Sequence, residues 1–369
     1  MNWHFRLSDD NYSQAENICN GLPRRDFDGV AHALCAEAKA QQWLRREQAM
    51  LTFYILQGLV PLALVVWLAV APPQSVIGFW TQALATAIGI VAIGLVGLWV
   101  VPPWWTPWAL AAFLMAMILA DFRRQRRTLR WPDGILGWLG LVSFVALGLF
   151  ATNQARVAAG AMRAPVGDII DLASPLGPGT YLVANGGAAL SLNAHYEVLE
   201  ASVPAHRPWR GEAYAVDIVA IDGWGLRADG VVPSKPNRYH IFGRPVVAPC
   251  AGEVVVAVDG FPDMIIPEAD PVNLAGNHVF LRCGPIDIVL GHFRKGSVRV
   301  HVGQLLAIGA PIAEVGNSGN TSEPHLHIHA QMPGTVAQPF SGAPIPIRID
   351  GRFLVRNECL VVTMANVRP

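Results

Sequence analysis

The sequence predicts a chain in two parts: an N-terminal α-helical membrane region of about four spans, then a mostly-β module of antiparallel sheets. Three observations predict it. Hydrophobic residues make up 52% of the 369 and charged ones only 15%, a balance outside that of ordinary soluble domains. From Leu51 to Ala120 there is no Asp, Glu, Lys or Arg, whereas about 20 apolar residues already span a bilayer. Of the eleven histidines only His4 and His32 precede residue 190, so greasiness and imidazoles occupy different stretches.

Residues 1–49 are polar and mixed in charge, with a helical pattern over 26–48 that leads toward the bilayer. No short basic region followed by an apolar run marks a secretory signal. The region 50–152 carries the spans, expected near 51–71, 76–101, 104–120 and 135–151. Pro72–Pro73 and Pro102–Pro103 break the long run, and Trp104, Trp105, Trp108, Trp131 and Trp138 sit at span ends as interfacial anchors. The spans lack ionisable residues, which argues for anchoring rather than ion transport. Arg123, Arg124, Arg126, Arg127 and Arg130 place the loop 121–133 in the cytoplasm, so the span 135–151 delivers the rest of the chain outside. Counting back puts the N-terminus outside as well, whereas Lys39, Arg45 and Arg46 favour the inside. The short 104–120 segment is the one whose failure to cross would reconcile the two.

Residues 153–180 read as a linker. From 181 to 369 the pattern becomes short apolar runs broken by Gly, Pro, Asn and Asp, at 181–184, 213–220, 245–257, 278–282, 286–291, 311–315 and 325–331, with further strand structure expected in 351–362. Formal net charge is zero and no basic stripe points to nucleic acid. Five cysteines, an odd number without C-x-x-C spacing, argue against a disulfide framework and leave room for one bond. Cys250 and Cys283, both in strand-like runs, are the candidate pair, and their bond would require Cα atoms roughly 4.4–6.8 Å apart.

The chemistry concentrates in Asn317-Ser-Gly-Asn-Thr-Ser-Glu-Pro-His-Leu-His-Ile-His-Ala330. Side chains at i, i+2 and i+4 share a strand face, so His325, His327 and His329 point one way and Leu326 and Ile328 the other. Three imidazoles on one face fill a core poorly and suit a divalent metal. A catalytic zinc takes three His, Asp or Glu ligands and an open position. Asp217 is the best carboxylate, because it interrupts the apolar strand of Tyr214-Ala-Val-Asp217, where a bare charge costs several kcal/mol unless paired or metal-bound.

These motifs together resemble the lysostaphin-type (LytM-like) zinc endopeptidases that cut peptidoglycan cross-links. The resemblance covers 185–331 and is carried by Tyr214-Ala-Val-Asp217, Pro245-Val-Val-Ala-Pro-Cys-Ala-Gly-Glu-Val-Val, Gly276-Asn277-His278-Val279, Leu290-Gly-His292-Phe, Val302-Gly-Gln, Gly309-Ala-Pro-Ile-Ala-Glu-Val-Gly-Asn-Ser-Gly-Asn and Pro324-His-Leu-His. Gly291 stands where the family has Ala. The resemblance implies a barrel-sandwich-like domain with a zinc cleft, whose motif core here is 190–331. It implies Zn2+ on Asp217 and His327, with His292 and His325 acting on water and substrate. Asn277, Asn317 and Ser318 are expected at the substrate cleft, with the turn 316–320 as its wall, and His329 as support rather than ligand. Compact relatives carry a ligand His a few residues before the Asp. Here the candidates are His195, in an Asn-x-His run expected to be a strand pairing beside the Asp strand, and His206, in a Pro-flanked loop; His195 is the ligand favoured. His240, His278 and His301 lack a partner motif.

The expected function is a multi-pass cytoplasmic-membrane zinc endopeptidase working on peptidoglycan peptides on the extracytoplasmic side. A non-catalytic activator of cell-wall enzymes predicts a broken His-x-His or a missing Asp, and both are intact. A biotinyl or lipoyl carrier predicts a flanked hairpin lysine, which Lys295 is not.

Overall fold

The computed structural model describes residues 55–124, 127 and 129–363, which form apolar helices followed by a β module. All of these lie in one compact unit, residues 54–369. The expected N-terminal segment 1–49 lies outside the described residues.

Four helices come first: α1, Ile55–Val70; α2, Val76–Val96; α3, Thr106–Arg124; and α4, Gly134–Ala161. The last three are long and apolar enough to cross a membrane. The described part of the first apolar segment is shorter than that, so three rather than four spans meet the length test among the described residues. Leu84, Val91, Trp108, Ile135, Leu136 and Leu149 are all more than half exposed along these helices, as lipid-facing side chains would be.

The expected span 76–101 stops at Val96, because Ser75 caps the start of α2 at the backbone N–H of Gly78 and Gly97 leaves the helix at its end in an extended conformation. The expected span 135–151 is exceeded in the other direction. Helix α4 runs for 28 residues, about 42 Å at 1.5 Å per residue, longer than a hydrocarbon core of about 30 Å, and its last part carries the polar Asn153, Gln154 and Arg156. The first nine residues of the expected linker are therefore helical.

The helices alternate in direction. The start of α2 meets the arginine-rich loop, through Val76 N donating to Leu129 O and Ile77 N to Arg130 O. Gln57, near the start of α1, donates to Leu98 O at 3.0 Å and accepts from Leu98 N at 2.9 Å, just beyond the end of α2. The start of α1, the end of α2 and the end of α4 thus share one end of the helical region, which is also the end that meets the β module.

That module has thirteen short strands: β1 Ile170–Leu172, β2 Gly179–Asn185, β3 Val216–Ala220, β4 Pro245–Val247, β5 Gly252–Val258, β6 Asn277–Cys283, β7 Ile286–Phe293, β8 Leu305–Leu306, β9 Pro311–Glu314, β10 Leu326–Gln331, β11 Pro344–Ile345, β12 Ile347–Ile349 and β13 Cys359–Val362. The principal sheet runs β13-β2-β3-β10-β7-β6-β5-β8, with β11 added to β10. Its pairings are all antiparallel. Two small sheets, β4-β9 and the parallel β1-β12, complete the module. Of the expected 351–362 strand structure only the last four residues are strand.

The alternation in the sequence does the sorting. Leu326, Ile328 and Ala330 of β10 join Val216 and Ile218 of β3 and Ile288 and Leu290 of β7 in the main apolar core. The opposite face of the same three strands carries the polar side chains. Cys250 and Cys283 are disulfide-bonded across the β5–β6 edge, with Cα atoms 6.2 Å apart.

Candidate metal centre and cleft

Register decides what meets on the polar face. On β10, His327 lies directly across from Asp217 of β3 on one side and Gly291 of β7 on the other. Asp217, whose sequence looked costly in an apolar strand, is therefore turned toward histidines. His327 Nδ1 is 3.1 Å from Asp217 Oδ1, His325 Nε2 is 3.5 Å from the same oxygen, and His195 Nε2 is 3.6 Å from Oδ2. His292 follows Gly291, and its ring lies 4.7 Å from that of His325 and 5.6 Å from that of His327, centre to centre.

His195 reaches this place on a different element from the one expected. The Asn-x-His run is not a strand: Ala194–Leu199 is a 3-10 turn capped by Asn193. The strand paired beside β3 is β2. Local hydrogen bonding explains the difference. Asn193 is fully buried, and its Nδ2 donates to Ala215 O at 2.9 Å and Gly187 O at 3.2 Å. Its Oδ1 then accepts from His195 N at 3.2 Å and faces His195 Nδ1 at 3.1 Å. A short polar side chain of this kind favours a cap over a ladder. His206 sits in a second 3-10 segment, Pro204–Tyr214, and lines the neighbouring cavity without joining the cluster around Asp217.

Each imidazole has its tautomer set by its other nitrogen. His195 gives the Nδ1 proton to Asn193 Oδ1, leaving the Nε2 lone pair toward Asp217. His292 Nδ1 donates to Ser318 O at 2.8 Å and His325 Nδ1 to Glu323 O at 2.8 Å, so each directs an Nε2 lone pair away from its carbonyl. His327 Nε2 lies 2.9 Å from His329 Nδ1. When His327 Nδ1 gives its lone pair to a cation, Nε2 carries the proton and donates to His329. His329 itself is fully buried.

The donor set suits a divalent cation. His195, Asp217 and His327 form one group whose ligand atoms all lie within 4.8 Å of one another, and His292, His325 and His327 form another. Burial pushes the His195 pKa down to about 4 against the pull of Asp217, so the ring is neutral at physiological pH. Burial raises Asp217, but His195, His325 and the hydrogen bond from His327 outweigh it and hold the carboxyl well below its ordinary range. Burial pulls the His327 pKa down, but the hydrogen bond to Asp217 and its charge outweigh burial and raise it, so a cation on Nδ1 would displace that proton. Two imidazoles and a carboxylate are ligand types that zinc takes. Asn185 Nδ2 donates to Asp217 Oδ2 at 2.9 Å and so orients the carboxylate.

A cavity of about 360 Å³ adjoins the cluster, reached by His195, His292 and His327 and walled by His206, Trp209 and Glu212. Burial raises the Glu212 pKa to about 7. Glu212 and Asn185 are the residues that motif reading missed. Glu212 could have been found as an acid two residues before Tyr214-Ala-Val-Asp217; for Asn185 only strand pairing gives the signal.

Asn277, Asn317 and Ser318 were expected at the substrate cleft. All three are fully buried. Asn277 accepts from Phe261 N and donates to Phe261 O and Phe293 O. Ser318 Oγ accepts from Asn277 N and donates to Phe293 O, while Asn317 donates to Met264 O. Their hydrogen-bonding capacity is spent on the frame behind the cleft wall. That frame holds His292, whose backbone has φ of 59°, an unfavourable region for a residue with a side chain.

Residues 239–339 match the model of Peptidase family M23. That segment contains His292, His325 and His327; Asp217 and His195 lie upstream of it. Among solved structures, lysostaphin in solution shares 21% identity over 33% of this chain and 37% of its own, with a TM-score of 0.22. A zinc-containing peptidase from Vibrio cholerae shares 19% over 31% and 46%, with a TM-score of 0.20. A putative peptidase M23 from Pseudomonas aeruginosa shares 19% over 50% and 55%, with a TM-score of 0.23. The chain thus spans roughly a third to a half of the length of these relatives. No curated protein matches the chain.

Proposed function

Residues 239–339 are a Peptidase family M23 domain, and from that premise we propose that the chain is a membrane-anchored zinc metalloendopeptidase that hydrolyses peptide bonds of peptidoglycan. The observation that carries the proposal is the register of β3, β10 and β7, which gathers Asp217, His327 and His292 from three strands around one cleft. In this reading His195, Asp217 and His327 hold zinc. Bound there, zinc would supply Lewis acidity toward a water and the scissile carbonyl. His325 and His292 direct Nε2 lone pairs into the cleft, and one of them would accept the single proton released as water attacks. The ring that takes it would then donate to the developing oxyanion and pass that same proton to the leaving amine. His329 accepts from His327 and keeps its Nδ1 directed at the metal position.

The proposed location is the cytoplasmic membrane, multi-pass, with the β module on the extracytoplasmic side. The arginine-rich loop between α3 and α4 supports that orientation, and so does the Cys250–Cys283 disulfide, a bond that persists in oxidising compartments. The implied partners are the lipid bilayer and the peptide part of peptidoglycan.

The test uses full-length protein in detergent with purified peptidoglycan, following new amino termini among the released fragments. Chelation or Asp217→Ala is expected to abolish their release. An Asp217→Ala protein as active as the parent would refute the proposal.

A further inference from the structure

The carboxylate of Asp217 is oriented by a hydrogen-bonded line that begins in the membrane region. Val96, the last residue of α2, has a carbonyl with no partner inside its helix. Arg356 Nη1 donates to that oxygen at 3.0 Å, and Arg356 Nη2 donates to Asn185 Oδ1 at 2.9 Å. Asn185 Nδ2 in turn donates to Asp217 Oδ2 at 2.9 Å. The direction of this line is dictated by chemistry. A guanidinium only donates, so the atom that Asn185 turns toward it must be the carbonyl oxygen. Its NH2 is thereby committed to Asp217, whose ionised carboxylate can only accept, so guanidinium and carboxylate hold the amide from its two ends, with Ala194 N a more distant donor to Oδ1 at 3.5 Å.

The junction around this line is built as well as bonded. Asn357 accepts from Trp99 N at 3.0 Å and donates to Gly97 O at 2.8 Å, holding the turn that leaves α2. Leu95 and Val96 pack against Leu192, Ala158 and Ala161, directly before the Asn193 that holds His195. Two of the three candidate metal ligands therefore rest on the end of α2, one through Arg356 and Asn185, the other through Leu192 and Asn193.

We propose that Arg356 is a positioning residue: it fixes the amide of Asn185, and through it Asp217, so that metal binding depends on how the end of α2 is seated against the β module. The proposal rests on Asp217 being a metal ligand. Membrane region and cleft then form one functional unit, and a shift of the α2 end alters metal affinity without touching a ligand.

The test measures zinc affinity by competition with a chromogenic chelator, on full-length protein in detergent. Arg356→Met, which keeps the length and removes the donors, is expected to weaken zinc binding about 10- to 100-fold, the usual effect of losing an outer partner of a ligand. Arg356→Lys restores part of it. Asn185→Leu gives a similar loss, and the double variant loses no more than either single one, because both interrupt the same line; a purely structural defect would add. Gly97→Ala perturbs the seat from the helix side, since a Cβ there would lie 2.6 Å from Ile93 O and 2.9 Å from Gln57 Oε1. It is expected to weaken zinc binding although it is not a ligand. Zinc affinity unchanged in Arg356→Met while Asp217→Ala abolishes it would overturn the positioning role and leave the metal site standing. Zinc affinity unchanged in Asp217→Ala would overturn both.

Discussion

Gly276 offers a quantitative test of how the cleft wall is built, because Gly284 provides a matched control. Both have positive φ, +57° and +63°. A Cβ on Gly284 would meet nothing within 4 Å, whereas one on Gly276 would lie 2.3 Å from Ser318 O and 2.4 Å from Ser318 C. The left-handed conformation costs a side-chain-bearing residue about 1–2 kcal/mol, so Gly284→Ala should lose about that much stability. Gly276→Ala carries the same cost and must also displace backbone, an overpacking term of about 1–3 kcal/mol. The expected losses are therefore about 1–2 against about 2–5 kcal/mol, read from denaturant midpoints in detergent. The displacement has a functional direction too. Ser318 O is the acceptor that orients His292, so Gly276→Ala should lower turnover while zinc affinity stays near the parent value. Equal stability of the two variants, or a loss of zinc in place of rate, would refute the reasoning.

Other expectations follow from the same geometry. His195→Ala should abolish zinc binding, whereas His206→Ala should keep it within a few fold, as measured by chelator competition; the reverse would exchange their roles. Reducing the Cys250–Cys283 bond releases a loop spanning a sequence separation of 33, for which the chain-entropy relation gives about 3–4 kcal/mol, so the denaturation midpoint should fall on reduction and be unchanged by reductant in a Cys250→Ser variant. Glu212 is raised to about 7 when folded against an ordinary 4.5, so between those values the folded state holds the extra proton and stability falls as pH rises. His195, lowered to about 4 from 6.5, acts in the opposite sense over 4 to 6.5. Glu212→Gln should therefore make metal-free stability rise more steeply with pH across 4.5–7, by at most about 1.4 kcal/mol per pH unit. An unchanged slope would show that Glu212 is not raised.

The parts of the fold that could be read from the sequence were those with a period or a charge rule behind them. Alternation along 325–330 separated the histidines from Leu326 and Ile328, and the lone acid in Tyr214-Ala-Val-Asp217 flagged Asp217, because each signal comes from the energetics of a single buried strand, β10 and β3 respectively. Span ends were less legible. Apolar composition continues past Val96 to Val101, and the cap at Gly97, the hydrogen bonds of Asn357 and Gln57 to the following turn, and the packing of Val100 and Trp104 against Leu182, Val219 and Ile221 end the helix there. The element carrying His195 was misread because Asn193 and two backbone carbonyls, not strand propensity, set its conformation. Asn277, Asn317 and Ser318 were assigned to the cleft from the resemblance, but polar side chains beside tight turns are readily consumed by backbone groups. The Arg356–Asn185–Asp217 line joins residues 171 and 32 positions apart, and no local pattern announces it.

The central claim is that His195, Asp217 and His327 bind zinc while His292 and His325 work beside it. Zinc-edge X-ray absorption on the full-length protein, paired with zinc content in single alanine variants, tests it most directly. The account predicts one zinc per chain with nitrogen and oxygen ligands at about 2.0–2.1 Å, lost in His195→Ala, Asp217→Ala and His327→Ala and retained in His292→Ala and His325→Ala. Zinc retained in Asp217→Ala but lost in His292→Ala would contradict it.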